Sequence, residues 1–354
     1  MLKNRVRHLS NAVLSAMVCL PTFSNAQQSD CRSIVSNTER LACYDSKAPL
    51  PDALPAAADV PDSGAPKDKL ATFASNENDR QRSQGSALTD SWELSPASKR
   101  GIFTLRPYKP MYILPISYTD HINKTPSSSA PGRTAASPSD LDSVEARFQF
   151  SVKTKVVENL IGDNGDLWLG YTQSSRWQVY NEELSRPFRE TNYEPEAMLV
   201  FHTDYELFGF KGVMAGIGLN HQSNGRDQPQ SRNWNRVIAQ VGFERDDWII
   251  MLRPWWRLPE SDSSDDNPGI ENYIGRGEIT VARKRQGHVF SLQARHSLRG
   301  GENSRGSAQA AWSFPIAGDF KGYVQLFSGY GESLIDFNNR QTVIGLGFSV
   351  VDWF

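Results

Sequence analysis

Apolar and polar residues alternate along much of the chain from about residue 101 to the C-terminus. In Val144–Lys153 the even positions are apolar and the odd positions are polar or charged, and Thr342–Val350 places its apolar residues on one parity in the same way. Because successive side chains of a β-strand point to opposite faces, each such segment predicts a strand with two different faces. Similar segments lie near residues 111–118, 167–176, 196–206, 213–223, 233–243, 247–257, 273–284, 287–297, 306–313 and 320–328.

These segments make roughly twelve strands of about ten residues, which is typical of an outer-membrane barrel. The predicted fold is therefore all-β, a twelve-stranded antiparallel transmembrane β-barrel with a mostly unstructured N-terminal extension. The polar rows carry long charged or amide side chains, as a barrel interior does, at Arg147, Lys153, Arg236, Gln240, Arg253 and Gln325. Aromatic residues near the segment ends are expected to form interfacial girdles: Trp168, Tyr171, Trp177, Trp248, Trp255, Trp256, Tyr323 and Tyr330.

The C-terminus supports the barrel interpretation. The chain ends in Trp353 and Phe354 after an alternating strand, and a terminal aromatic of this kind resembles the assembly signal of bacterial outer-membrane barrels. A secreted, soluble β-sandwich also has one polar face, so alternation leaves that fold open as an alternative.

The first 26 residues have the pattern of a secretory signal peptide. Lys3, Arg5 and Arg7 precede an apolar core at Ala12–Pro21, and Ser24–Ala26 supplies the small residues of a cleavage site. The core is too short for a membrane-spanning helix, which needs about 18 or more apolar residues. The formal net charge of the whole chain is −2, so the composition carries no signal for nucleic-acid binding.

Residues 27–100 are predicted to be a periplasmic extension and linker. Cleavage leaves two cysteines, Cys31 and Cys43, and an exported compartment favours a disulfide between them. The rest of this segment is rich in Pro, Ala, Ser and Asp, which indicates little structure. All nine tryptophans occur at or after Trp92, so the packed domain lies toward the C-terminus. The alternating pattern begins near Gly101, and the predicted barrel domain is residues 101–354.

His221, Ser223 and Asn235 form the candidate chemical site. His221 and Ser223 share the parity of the apolar residues that precede them, and Asn235 begins the apolar row of the next strand. A hairpin centred near Gln228 would set Asn235 beside His221 on the same face. Chemistry on the apolar face is unusual for a soluble enzyme, and it fits a site that contacts lipid.

These residue types are those of a serine hydrolase. Two residues along a strand span roughly 6.6 Å, which leaves the His221 imidazole within reach of the Ser223 hydroxyl. Asn235 can orient the imidazole, as the amide does in amide-containing triads. The backbone N–H groups of Ser223 and Gly225 are candidates to bind an oxyanion. A His-x-Ser pair is common by accident and a strand-end asparagine is ordinary, so the motif alone is weak.

Longer motifs resemble those of one family. The runs Asn220–Arg226 and Ser231–Arg236 resemble the signature of bacterial outer-membrane phospholipase A, the phosphatidylcholine 1-acylhydrolase family. Residues 188–195, 265–268 and 328–336 resemble other motifs of the same family. The likeness runs from about residue 101 to the end of the chain and leaves the N-terminal extension outside it.

The resemblance implies a twelve-stranded barrel whose active site faces lipid. It implies a calcium-dependent serine esterase that hydrolyses sn-1 and sn-2 acyl esters of outer-membrane glycerophospholipids, giving lysophospholipid and fatty acid. It also implies activation by homodimerisation. Carried over by position, Ser223 is the nucleophile, His221 the base and Asn235 the orienting residue, while Gln173 matches a polar interface position.

The same resemblance implies a set of calcium ligands. The carbonyl of Arg226 and the hydroxyl of Ser231 match family ligands, and Ser185 matches the position that donates a carbonyl from the partner subunit. Asp266 matches a carboxylate of a second calcium site used by the monomer. This chain departs from the family at Gln228, where the family has an aspartate, which puts the second site in doubt.

Two other functional classes remain open at this point. One is a non-catalytic outer-membrane barrel or channel that retains a vestigial motif. The other is a secreted soluble esterase. Outer-membrane fractionation separates the barrels from the soluble enzyme, and labelling of Ser223 by a long-chain sulfonyl fluoride separates the enzyme from the passive barrel.

Overall fold

The computed structural model describes Ser36, Thr38, Glu39, Cys43 and residues 87–353. The predicted signal peptide, residues 1–26, lies outside the described residues. Cys43 is disulfide-bonded, and its predicted partner Cys31 also lies outside them. The chain divides into two units, Met1–Lys69 and Leu70–Phe354. The β-strands and the candidate site belong to the second unit.

The second unit consists mainly of antiparallel β-strands. They are β1 (Leu105–Pro107), β2 (Met111–Thr119), β3 (Val144–Val157), β4 (Asp166–Trp177), β5 (Phe188–Leu207), β6 (Phe210–Ser223), β7 (Asn233–Arg245), β8 (Trp248–Arg257), β9 (Gly277–Arg285), β10 (His288–His296), β11 (Gly306–Ala317), β12 (Phe320–Gly329) and β13 (Gln341–Val351). A helix, α1 (Ala87–Trp92), precedes them, and short 3₁₀ turns lie at Ile270–Asn272 and Gly301–Asn303. Among the described residues, no helix is long and apolar enough to cross a membrane.

The strands from β2 to β13 close into a barrel. Each pairs with the next strand in the sequence, and β13 pairs with β2, where Ile344 lies opposite Tyr118. Strand β1 pairs with β3 beyond the end of β2, so it extends the same wall. The predicted twelve-stranded antiparallel barrel is confirmed, and the two-layer sandwich is excluded.

The outer surface of the barrel is apolar. Side chains of the outward rows are exposed although they are large and hydrophobic, for example Ile217 at 51% and Leu219 at 60% on β6. The alternate residues on the same strand, Met214 and Asn220, are buried. An apolar outer surface is stable against lipid and would be unfavourable in water. The barrel therefore has apolar residues outside and polar residues inside, the reverse of a soluble fold.

The barrel interior is lined by paired charges, as the predicted polar rows require. Glu145 accepts hydrogen bonds from Arg189 at 2.8 and 2.9 Å and from Arg147 at 2.8 Å. The same two arginines also bind Asp336 and Glu332. Buried charges are tolerated when they are paired, so this network fixes the strands that contribute to it.

A second set of interior charges lies behind the candidate site. Glu194 pairs with Lys109 at 2.9 Å and with Arg236 at 3.0 Å, and Glu196 pairs with Arg253 at 2.8 Å. A cavity of about 110 Å³ remains beside Lys109, Glu194 and Arg236 and neighbouring polar side chains. An interior occupied by ion pairs argues against a passive channel.

Helix α1 lies before residue 101, the predicted start of the barrel domain, and packs against the barrel strands. Leu88 and Trp92 are buried in one cluster with Trp168 and Met214 of the barrel strands. Trp92 meets Trp168 edge-on with ring centroids 5.7 Å apart, and the Lys153 ammonium lies 3.3 Å from the Trp92 ring centroid. The ordered barrel unit therefore includes residues that were predicted to belong to the linker.

The predicted aromatic girdles are correct only in part. Trp248 and Trp256 are exposed on the outer surface, as a girdle requires, but Trp168, Trp255 and Tyr323 are buried in the interior. The residues share inward parity with their buried neighbours, and that parity overrides their position near a strand end.

Candidate functional site

The candidate site lies on the β6–β7 hairpin. His221 lies directly opposite Asn235 across the two strands, and Ser223 lies opposite Asn233. This register is the one expected for a hairpin centred near Gln228. His221 is exposed, and Ser223 and Asn235 are half-buried, so the three side chains share the outward, apolar row.

His221 and Asn235 are joined by a hydrogen bond. The imidazole Nδ1 and the amide Oδ1 are 2.8 Å apart. Because an amide oxygen only accepts, Nδ1 carries the proton and donates it, and Nε2 keeps a free lone pair. An imidazole in this tautomer can take a proton from a hydroxyl, which is the role of a general base.

The Ser223 hydroxyl is the nearest nucleophile along the same row. Ser223 pairs with Asn233 on one side and with Tyr193 of β5 on the other. Within residues 87–353 no hydrogen bond joins its Oγ to His221. Catalytic hydrogen bonds often tighten only when substrate binds, so the spacing of two residues on one face is the relevant geometry.

The turn after Ser223 is held by the side chain of Asn224. Its backbone N–H donates to the carbonyl of Arg232 at 3.0 Å, and its Oδ1 accepts from the Arg232 N–H at 2.9 Å. Its amide also donates to the carbonyl of Gln230 at 2.9 Å. These bonds fix the backbone that carries Gly225 and Arg226.

Gly225 is required by the turn. Its φ is +61°, and a Cβ at this position would lie 3.2 Å from the Tyr193 ring. A side chain here would therefore strain the backbone and crowd the space beside Ser223. The N–H groups of Ser223 and Gly225, predicted to bind an oxyanion, lie on either side of the Asn224 clamp.

Arg226 is tied to the neighbouring strand through its guanidinium. The group donates to the carbonyls of Phe188 and Arg189 on β5, pairs with Glu190 at 3.3 Å, and donates to Gln230 at 2.6 Å. The position of the Arg226 backbone is therefore fixed independently of any ligand.

Ser231 is connected to the loop that follows β8. Its hydroxyl donates to Asp266 Oδ2 at 2.5 Å, and the Asn233 amide donates to the same oxygen at 3.1 Å. The other oxygen, Oδ1, accepts from Arg133 Nε at 2.6 Å. The structure thus brings together Ser231 and Asp266, two predicted metal ligands, but it places an arginine cation on the carboxylate.

Ser185 and Gln173 lie apart from Arg226 and Ser231, in the β4–β5 loop and on β4. Ser185 is exposed in the loop between β4 and β5, with a positive φ of 59°. Among the described residues no hydrogen bond joins it to Arg226 or Ser231. Gln173 lies on β4 opposite Tyr193, and its side chain accepts a hydrogen bond from the Tyr171 hydroxyl at 3.0 Å.

Three residues around the site were not singled out from the sequence. Glu260 accepts from the Asn235 amide at 3.4 Å, Arg133 binds Asp266, and Glu190 binds Arg226. Glu260 and Arg133 lie in long loops whose path alternation does not predict. Glu190 lies within residues 188–195, which resemble a family motif, but the strand was predicted to begin only at residue 196, so its inward side chain on β5 was not predicted.

The inner side of the hairpin is rigid. Arg236 Nε donates to Asn220 Oδ1 at 2.9 Å, and its guanidinium stacks 4.1 Å from the Trp234 ring centroid. Trp234 donates to Gln222 at 2.9 Å. These inward residues alternate with the outward site residues, so the barrel core holds the backbone of the candidate site in place.

The fold defines a class: a transmembrane β-barrel that carries the candidate residues His221, Ser223 and Asn235 on its lipid-facing surface. A family model described as Phospholipase A1 matches residues 88–350. A relative from Neisseria meningitidis serogroup B is 34% identical over 98% of this chain and 96% of its own length. Phospholipase A1 of Escherichia coli K12 is 36% identical over 71% of this chain and 83% of its own length.

Solved structures agree with the family model. The outer membrane phospholipase A of E. coli is 35% identical with a TM-score of 0.63, covering 72% of this chain and 95% of that one. A Salmonella typhi outer membrane phospholipase, solved as a dimer with bound calcium, is 34% identical with a TM-score of 0.64. The match covers 72% of this chain and 96% of that one.

The chain belongs to the phospholipase A1 family, and it is a phospholipase of the bacterial outer membrane. The family model begins at residue 88, so the match includes helix α1. The Neisseria relative aligns along nearly the whole chain. The likeness therefore extends further toward the N-terminus than the motifs alone indicated.

Proposed function

We propose that the enzyme is a calcium-dependent serine esterase that cleaves sn-1 and sn-2 acyl esters of glycerophospholipids. The observation that carries the proposal is the hydrogen bond between His221 and Asn235, on the lipid-facing row and two residues from Ser223. In support, one solved E. coli relative is an active-site variant in which an asparagine is replaced by alanine.

The reaction follows from the tautomer of His221. Ser223 Oγ attacks the ester carbonyl while His221 Nε2 takes its proton, and Asn235 Oδ1 stabilises the resulting imidazolium. His221 then gives the proton to the glycerol oxygen as that C–O bond breaks, releasing lysophospholipid and leaving an acyl-Ser223 ester. Water attacks this ester with His221 again as base, and fatty acid leaves as Ser223 regains its proton.

The oxyanion of each tetrahedral intermediate needs donors close to Ser223. We assign this role to the backbone N–H groups of Ser223 and Gly225. The clamp by Asn224 orders the turn before substrate arrives, so little reorganisation is needed when charge develops. The φ of Gly225 supports close approach of the substrate to the backbone.

The residues beside the turn fit a calcium ion. The Arg226 carbonyl and the Ser231 hydroxyl are hard oxygen donors of the kind calcium prefers. Ser231 donates its one hydroxyl proton to Asp266, which leaves its lone pairs available for a cation. A bound calcium would add positive charge beside the oxyanion donors and stabilise the negative charge that develops there.

One chain supplies few of the six to eight oxygens that calcium takes. We therefore propose that a second copy completes the shell through the Ser185 carbonyl, as the resemblance implies, with Gln173 at the subunit interface. The Salmonella relative was solved as a dimer with bound calcium. Dimerisation would also close an acyl-chain cleft between two apolar outer faces and so gate activity.

We propose that this chain does not retain a second calcium site at Asp266. The two carboxylate oxygens of Asp266 already accept from Ser231, Asn233 and Arg133. The residue at position 228 is a neutral glutamine. We assign Asp266 to the support of Ser231 instead of to direct calcium binding.

We propose that residues 1–26 are removed as a signal peptide and that Cys31 pairs with Cys43. Residues after the signal and before α1 would then form the periplasmic extension. Mass spectrometry of the mature protein under non-reducing conditions gives both the cleavage site and the cysteine pairing.

The test is phospholipid hydrolysis in detergent micelles with calcium and with chelator, on the wild type and on Ser223→Ala. We expect calcium-dependent release of fatty acid by the wild type and none by Ser223→Ala, with both proteins showing heat-modifiable gel migration. Hydrolysis by folded Ser223→Ala would overturn the assignment. Sedimentation with and without calcium then reports whether the active form is a dimer.

A further inference from the structure

We propose that Glu260 is a positioning residue that sets the orientation of the Asn235 amide. Glu260 lies in the loop after β8, and its Oε1 accepts from Asn235 Nδ2 at 3.4 Å. The loop is tied to the same strand because the Leu258 N–H donates to the Asn235 carbonyl at 2.8 Å. This inference rests on the proposed function, since it concerns the residue that orients the base.

A neutral asparagine has two ends of nearly the same shape but opposite hydrogen-bonding character. When Oδ1 faces the imidazole, Nδ1 carries the proton and Nε2 is free to accept the proton of Ser223. When the NH₂ group faces the imidazole, the proton must move to Nε2. His221 is then in the wrong tautomer to act as a base, so the direction of the Asn235 amide decides whether the site works.

An ionised carboxylate resolves this choice because it can only accept. With Glu260 on the far side, Asn235 must direct its NH₂ group toward the loop and its oxygen toward His221. The exposed position of His221 makes this support useful, since water or lipid head groups compete for its nitrogens on the outer face. A serine–histidine–aspartate site needs no residue to set the direction of the aspartate, because either carboxylate oxygen can accept the hydrogen bond from the imidazole.

The first test is Glu260→Gln, a substitution of the same shape that can donate as well as accept. We expect kcat for phospholipid hydrolysis to fall about threefold to tenfold with KM nearly unchanged, because a glutamine can present either its oxygen or its NH₂ group to Asn235 and so no longer selects one amide direction. The matched control is Glu271→Gln in the following segment. Glu271 pairs with Arg257 and Arg276 and makes no hydrogen bond with Asn235, so its variant should keep wild-type kcat.

The decisive test repeats Glu260→Gln in an Asn235→Asp background. An aspartate has no amide to orient, and its charge is repelled by Glu260, so removing that second charge should raise kcat. A purely structural role for Glu260 predicts a fall in both backgrounds. Opposite signs in the two backgrounds support the proposal, and the same sign in both overturns it.

A direct measurement covers the case in which the double variant does not fold. Nitrogen-15 NMR of the histidine rings, with the His221 signal assigned by its loss in His221→Ala, reports the tautomer. We expect Nδ1–H in the wild type and a mixture in Glu260→Gln, whereas an unchanged tautomer overturns the proposal. Hydrolysis by Ser223→Ala in the same panel would instead overturn the proposed function, so the two failures are distinguishable.

Discussion

Replacing Asp266 with asparagine tests how the proposed calcium ligand Ser231 is held. In the wild type, Asp266 accepts from the Ser231 hydroxyl at 2.5 Å and from the Arg133 guanidinium at 2.6 Å. An asparagine keeps one oxygen and turns an NH₂ group toward one of these donors. The Ser231 hydroxyl then loses either its acceptor or the negative charge that orients it.

The size of the effect follows from the strength of the lost contact. Hydrogen bonds to charged groups contribute about 1.5–3 kcal/mol, and each 1.4 kcal/mol corresponds to about tenfold in affinity. Loss of a hydrogen-bonding partner behind a metal ligand typically costs about 10–100-fold in metal affinity. We therefore expect the calcium concentration for half-maximal activity of Asp266→Asn to rise about 10–100-fold, with the rate at saturating calcium close to wild type.

The assay is fatty-acid release from mixed micelles across a calcium titration, with heat-modifiable gel migration as the folding check. Asp265→Asn is the matched control, because Asp265 pairs with Arg257 at 2.6 Å and does not contact Ser231. An unchanged calcium response in folded Asp266→Asn would refute the reasoning. A loss of rate that excess calcium does not restore would also refute it, since it would place Asp266 in a different role.

Three further outcomes follow from the structure. Burial alone would raise the pKa of Glu332, but the guanidinium groups of Arg147 and Arg176 outweigh it and hold that pKa below its usual range. Glu332 therefore stabilises the barrel above the unfolded-state pKa of about 4.3, and the contribution is lost as pH falls through the lower folded-state pKa. The urea midpoint of Glu332→Gln should then depend less on acid pH than that of the wild type, and an equal acid dependence would contradict this. Trp92→Ala should lower the free energy of unfolding by about 3–5 kcal/mol, because Trp92 is buried against the barrel. Urea titrations measure this, and a change below about 1 kcal/mol would show that α1 is not part of the packed unit. Gly225→Ala should reduce kcat with the fold retained, because a side chain at a φ of +61° is strained beside the proposed nucleophile Ser223. Wild-type turnover would contradict the proposed role of Gly225 in binding the oxyanion.

Much of the barrel could be predicted because polar and apolar residues alternate along each strand. Lipid outside and paired charges inside impose opposite polarity on alternate residues, so a strand such as Val144–Val157 is evident from parity alone. The same rule fixed the site, since a hairpin centred near Gln228 places Asn235 opposite His221. Parity also shows that Trp168 is an interior residue, and its assignment to a girdle was wrong because that assignment used only position along the strand.

Elements without an alternating pattern of polar and apolar residues could not be predicted in this way. Helix α1 is only six residues long and follows a stretch of linker-like composition, so its burial depends on the contacts of Trp92 with Trp168 and Lys153. The contacts of Arg133 and Glu260 depend on the paths of two long loops. These contacts decide how the predicted ligand Ser231 and the predicted orienting residue are held.

Covalent labelling of Ser223 tests the central claim most directly. A long-chain sulfonyl fluoride reacts with a serine that is activated by a neighbouring base and that lies where an acyl chain binds. We predict one adduct, mapped by mass spectrometry to the peptide that contains Ser223, formed together with loss of activity and absent in His221→Ala. Inactivation without modification of Ser223, or an adduct on another residue, would contradict the account.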